Sequence, residues 1–183
     1  IDNSEDIDKY YDSVFNYPEN RIIQNEIDVI KKYIKNGGKV IVLGYCNNED
    51  CTTEAINTLT KEFGLELLED VVIDNVNKID DRGLIIATSK ILRYNDNVEK
   101  IVLPCTASIK IHTADAYQIV LGEKTSKSTI GITQPVLFAG RKIGRGEIIL
   151  GGTCVFWDNF SIMRSDNMTF ALNLLKPIGS RTA

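Results

Sequence analysis

Three short segments hold most of the side chains able to do chemistry. The first is VIVLGYCNNEDCTTEAINTL, residues 40–59, where Cys46 follows an apolar run that ends in Gly44 and Tyr45. A thiol on a tight strand-to-helix turn is an exposed nucleophile, and the amino end of the next helix favours its thiolate. The same thiol at a covered strand end is a small, inert apolar residue. The second segment, LPCTASIKI, carries Cys105, Thr106 and Ser108. The third, GGTCVFWDNF, carries Gly152, Thr153, Cys154, the only tryptophan Trp157, and Asp158. The one histidine, His112, lies in SIKIHTADA with Asp115 three residues on, and is the weak candidate for a base.

All three segments fall where apolar runs stop. A ligand or partner surface at strand ends would therefore be built from Gly44, Tyr45, Cys46 and Asn47, from Cys105 and Thr106, and from Gly152, Thr153, Cys154, Trp157 and Asp158. The competing reading of the third segment is a capped strand end with aromatic core packing. Metal chemistry finds no ligand set. There is no CxxC pair, a single histidine, and no calcium-loop spacing among Glu49, Asp50, Asp80 and Asp81. IGRGE lacks the Gly-Lys-Ser/Thr of a phosphate loop and lies between strands. No metal and no cofactor are expected. Cys46 and Cys51 could close a small loop in an oxidising compartment, but reduced, partly buried thiols are the expectation.

The elements that must position these residues follow from periodicity. Ile23, Ile27, Ile30 and Ile34 recur at helical spacing, and Gly37 and Gly38 provide the stop. KVIVLG reads as a strand covered on both faces. TTEAINTLTKEFG reads as a helix capped by Thr52 or Thr53 and stopped at Gly64. Residues 75–82 read as a polar loop. GLIIAT and KIVLP read as strands, and the alternation from ASIKIHT to AYQIVLG suits antiparallel strands. PVLFAG, RKIG and RGEIILGG form a hairpin pattern. A last helix runs through SDNMTFALNLLKPI, capped by Ser165 or Asp166 and ended by Pro177. DSVF, before Pro18, is a short candidate strand. The fold class is α/β.

The chain has 183 residues and a net charge of −4, enough for one domain with a sizeable core. That charge argues against nucleic acid, and Lys124, Lys127, Arg141, Lys142 and Arg145 read as solvated loop charges. No apolar run is long enough for membrane insertion, and no signal-peptide pattern is visible, which favours a cytoplasmic setting. The chain opens at Ile1, so upstream sequence is expected. Asn159 and Asn167 stand in N-glycosylation tripeptides.

The succession EIDVIKKYIKNGGKVIVLG, INTLTKEFGLELLEDVV, PVLFAGRKIGRGEIILGGTCVFWDN and DNMTFALNLL resembles the GIFT-type branch of the class I glutamine amidotransferase-like superfamily. That branch includes the amino-terminal domain of an intraflagellar-transport protein. The resemblance implies a flavodoxin-like three-layer sandwich with a mostly parallel central sheet, joined by antiparallel strands and a hairpin, and a strand before the first helix. It implies a domain over residues 19–177, with a lead-in at 1–18 and a tail at 178–183. Catalytic members carry G-x-C-x-G at the nucleophile and a histidine–glutamate pair near the chain end. Here Asn48 replaces the second glycine, and GGTCVFWDNF holds no histidine. The resemblance thus implies a noncatalytic domain that binds a protein partner, other domains of its parent chain, or a small ligand. The rivals are a Cys46-dependent hydrolase or amidotransferase, and a nucleic-acid-associated module acting through the five basic residues.

Overall fold

A computed structural model of the chain describes residues 24–178. DSVF and Ile23 lie outside the described residues. Helix α1 (Gln24–Lys35) buries Ile27 and Ile34 and ends at Gly37, whose φ of +110° suits glycine. Strand β1 (Lys39–Leu43) follows. Near the other end of the chain, β10 (Val136–Ile143) and β11 (Gly146–Gly151) form the expected hairpin, with Ile143 opposite Gly146 across a two-residue turn.

These strands join β8 (Ala116–Leu121) in a four-stranded sheet of order β1-β11-β10-β8. Only the β1–β11 pair is parallel, so the described sheet is mixed, and the mostly parallel sheet of a flavodoxin-like sandwich is not seen. The physical reason lies in the connections: a two-residue turn can join only antiparallel neighbours, whereas parallel neighbours need a long crossover. The strand covered on both faces is β11, all six of whose residues are buried, while β1 stays half-buried throughout. The KVIVLG run therefore overstated its burial.

Alternation along β11 splits the core into two layers. Ile149 faces α3 (Asn167–Leu175) and the three-stranded sheet of β4 (Lys78–Ile79), β5 (Arg82–Thr88) and β6 (Ile101–Pro104), in a cluster with Phe138, Phe156, Phe170, Ile86 and Leu103. Phe138 meets Phe156 and Phe170 edge-on at 5.3 and 5.5 Å. Ile148 and Leu150 face α1, helix α2 (Thr52–Thr60) and the pair β2 (Leu65–Leu67) with β7 (Ile109–Ile111). A short pair, β3 (Val72–Ile73) with β9 (Lys127–Ser128), completes the strands. The polar stretch 75–82 contains β4 and a tight turn in which Asp80 and Asp81 both take positive φ. Among the described residues the architecture is mixed α/β, dominated by strands in several sheets with few helices.

The expected Thr52 or Thr53 cap is replaced, and Asp166 holds the expected cap position without making a side-chain capping bond. Cys51 occupies the cap position of α2, and the amide of Thr53 donates to Oδ1 of Asn48 at 3.1 Å. Asp166 stands before α3, but its carboxylate accepts the amides of Glu99 and Lys100 instead of capping the helix. Among the described residues no helix is long and apolar enough to cross a membrane.

Candidate functional site

The three segments singled out in the sequence converge at the carboxyl end of β1 and β11. Gly44 donates its amide to the Gly151 carbonyl at 2.8 Å, and Ala107 donates to Gly152 at 2.9 Å. Thr153 Oγ1 donates to the Pro104 carbonyl at 2.6 Å. The loops are held backbone to backbone, and the glycines allow it. A Cβ on Gly152 would sit 2.1 Å from the Ala107 carbonyl oxygen, and one on Gly44 would sit 2.3 Å from the Leu67 side chain.

Sequence reasoning missed the residue beneath this junction. Asp70 is fully buried, accepts the amide and hydroxyl of Ser108, and offers its own carbonyl to the Asn47 amide at 2.9 Å. An acidic residue in LELLEDVV carries no signal that it will be buried. Asp74 is similar. Burial disfavours its charge, but the amides of Asn77 and Val76 and the hydroxyls of Thr125 and Ser126 outweigh that and bring its pKa down to about 2.

Cys46 is buried, at 7% exposure, and opens a 3-10 helix (Cys46–Cys51) in place of a sharp elbow. Asn47 and Asn48 both take left-handed backbone angles, which asparagine accepts better than most residues. His112 is not brought to Cys46. Its Nε2 lies 2.7 Å from Glu66 Oε2, and Glu66 also binds Lys61 at 2.7 Å. Those bonds hold the Glu66 carboxyl below its ordinary range, Lys61 contributing most, against a partial burial that opposes it. Glu66 projects from the opposite face of β2 to Leu67, the residue packed against Gly44. Asn57 of α2 fixes that register by bonding both backbone groups of Leu67 at 2.8 and 2.9 Å.

Tyr45 and Thr106 are half-buried and buried, respectively, within the junction. Cys154, Trp157 and Asp158 lie on its exposed side, and Cys105 is half-buried. Burial, then the nearby Asp158 and Cys105, push the Cys154 thiol above its ordinary pKa. Trp157 is 37% exposed and leans on Phe156, which is fully buried, so the segment serves both core and surface. All four cysteines are unbridged.

Other sequence candidates are already engaged. Asp80 pairs with Arg164, and Asp81 with Lys78. Arg141 forks onto Asp115 at 3.1 and 2.9 Å and also donates to the Phe63 carbonyl. Arg145 donates to the Asn36 carbonyl. Among the described residues no group of three or more His, Cys, Asp or Glu side chains could hold a metal ion. At the opposite end of the sheet a cavity of about 180 Å³ is lined in part by Lys39, Tyr94, Lys142 and Glu147. Buried Glu147 accepts the hydroxyls of Tyr94 and Tyr117 there. Lys39 reaches it at 3.6 Å while also holding the carbonyls of Leu174 and Lys176 at the end of α3.

Comparison with known proteins adds three findings. Residues 3–78 match the family model of the IFT52 GIFT domain. An uncharacterized protein of Aquifex aeolicus is 43% identical over 187 residues, covering 97% of this chain and 79% of that protein. The solved structure titled mmIFT52 N-terminal domain matches with a TM-score of 0.70 at 19% identity, over 87% of this chain and 75% of that one. At that identity the structural match speaks to the fold alone.

Proposed function

We propose, on the premise that this chain belongs to one family with the uncharacterized Aquifex aeolicus protein and matches the IFT52 GIFT domain model over residues 3–78, that it is a noncatalytic domain that docks a protein partner. The unit spans residues 19–177, and it is a mixed-sheet relative of the amidotransferase-like sandwich whose acyl-transfer machinery is missing. The single histidine, His112, is paired with Glu66 of β2.

The observation that carries the reading is the apolar surface next to the loop junction. Trp157, Phe160 and Met163 are 37%, 47% and 76% exposed, and the outer side of α3 adds Met168, Leu172 and Leu175 at helical spacing. Exposed large apolar side chains concentrated on one segment and the helix that follows it are of the kind that mark interaction surfaces. The match of residues 3–78 to the IFT52 GIFT domain supports a role as one domain among others. Its partner would present a complementary apolar face to this strip.

Two measurements test the reading. The pH dependence of Cys46 alkylation, followed by peptide mass spectrometry against Cys105 and Cys154, is expected to show a slow, ordinary thiol. Fast alkylation at neutral pH, with a pKa well below the ~8.5 of a free thiol, would reinstate the enzyme. A partner copurified from the source organism and then reconstituted from purified components is expected to bind the wild type. It is expected not to bind the folded Trp157→Ser/Phe160→Ser/Met163→Ser variant. Equal binding by the variant overturns the proposed surface.

A further inference from the structure

Two of the thiols lie on the two segments that meet at the loop junction. The segment after β6 and the segment after β11 run past one another in opposite directions. The Ala107 amide meets the Gly152 carbonyl at 2.9 Å, and the Pro104 carbonyl meets Thr153 Oγ1 at 2.6 Å. Thr106 Oγ1 lies 2.6 Å from where a Gly152 Cβ would be. Cys105 follows Pro104 and Cys154 follows Thr153, so each thiol stands one residue beyond the Pro104–Thr153 contact. The pair is also electrostatically coupled, since Cys105 contributes to the raised pKa of Cys154. Cys154 is exposed and Cys105 half-buried, so a small oxidant reaches the pair from solvent. Cys105 takes a left-handed backbone angle, φ +47°, which is uncommon for a residue with a side chain.

We infer that Cys105 and Cys154 form a reversible, oxidation-dependent disulfide that ties the end of β6 to the loop after β11. The oxidant is a peroxide. The thiolate of the exposed Cys154 attacks one peroxide oxygen. The S–O bond forms, the O–O bond breaks, and the leaving hydroxide takes a proton to become water. The Cys105 thiol then attacks the sulfenic sulfur. The S–S bond forms, the S–O bond breaks, and a second water leaves with the Cys105 proton. The two thiols lose two hydrogens and two electrons, and one peroxide becomes two waters. Because burial and Asp158 hold the Cys154 thiol protonated, the reaction accelerates as pH rises. Closing the bond fixes the backbone beside Trp157. The inference goes beyond the partner-docking reading and does not depend on it.

The test treats the reduced 183-residue chain with hydrogen peroxide, blocks remaining thiols with iodoacetamide, and digests with trypsin. Cys105 falls in the peptide 101–110 and Cys154 in 146–164, whereas Cys46 and Cys51 share the peptide 40–61. The expected product joins 101–110 to 146–164 within one chain, two hydrogens lighter than the sum, and dithiothreitol releases it. Its absence from the folded Cys154→Ser and Cys105→Ser variants completes the assignment. Unlinked peptides carrying sulfinic or sulfonic acid, closure of Cys46 with Cys51 alone, or dimers linked between chains each overturn it. Should the serine variants not fold, phenylarsine oxide on the reduced wild type decides. One arsenic shared by both peptides supports the pair, and separate or absent modification refutes it.

Discussion

Asn167 offers the sharpest test of how the site is held. It stands in a glycosylation tripeptide, yet it is fully buried. Its Oδ1 accepts the Val102 amide at 2.8 Å, and its Nδ2 donates to the carbonyls of Val102, Phe156 and Ser161 at 2.8, 3.0 and 2.9 Å. One side chain therefore closes the free edge of β6 and pins the loop that carries Trp157. Asn167→Ala strands the Val102 amide in the core, at a cost of about 1–3 kcal/mol. It also removes the donor to three carbonyls and leaves a small void. The sum is about 3–5 kcal/mol, at the severe end for one substitution. In urea unfolding this moves the midpoint down by roughly 2 M, taking a slope of about 2 kcal/mol/M. Asn167→Asp keeps the bond to the Val102 amide but turns a carboxylate onto the carbonyls. It is expected to be at least as unstable at neutral pH and to recover as pH falls, when the protonated carboxyl can donate again. Thr169→Ala, which destroys the same tripeptide without touching these bonds, is expected to change stability little. An Asn167→Ala unfolding free energy within about 0.5 kcal/mol of wild type would refute the reasoning.

Three further expectations follow from the same contacts. Gly152→Ala places a methyl 2.1 Å from the Ala107 carbonyl oxygen and should cost about 1–3 kcal/mol in urea unfolding; a neutral result would show that the junction can open. Asp74 has a pKa of about 2 in the folded chain against an ordinary 3.8, so its contribution of roughly 2 kcal/mol is present above pH 4. It is lost as pH falls from 4 towards 2, and Asp74→Asn should flatten the acid limb of the stability–pH curve over that window. His112→Ala should cost no more than about 1 kcal/mol, since the partly exposed ring pairs with Glu66 at the surface; a loss above 2 kcal/mol would give that cluster a structural role.

The sequence by itself determined the local elements and the loops at the ends of three apolar runs. Helical spacing of the isoleucines produced α1, the Gly144–Arg145 turn produced the β10–β11 hairpin, and apolar runs ending in Gly44, Pro104 and Gly151 marked the three loops that meet. These are short-range signals, set by side-chain period and by backbone angles that few residues accept. Strand order and partner choice needed the tertiary structure. KVIVLG gives no hint that β1 sits half-buried while β11 takes the doubly covered place, because an apolar run reports burial without saying which neighbour supplies it. The buried polar residues were hidden for the same reason. Asp70, Asp74, Glu147 and Asn167 look like surface residues in sequence, and each is tolerated inside only because distant segments bring the donors and acceptors that satisfy it. His112 is the converse case. Its residue type suggested a base, and only the pairing of β2 with β7 decided that it faces Glu66 instead of Cys46.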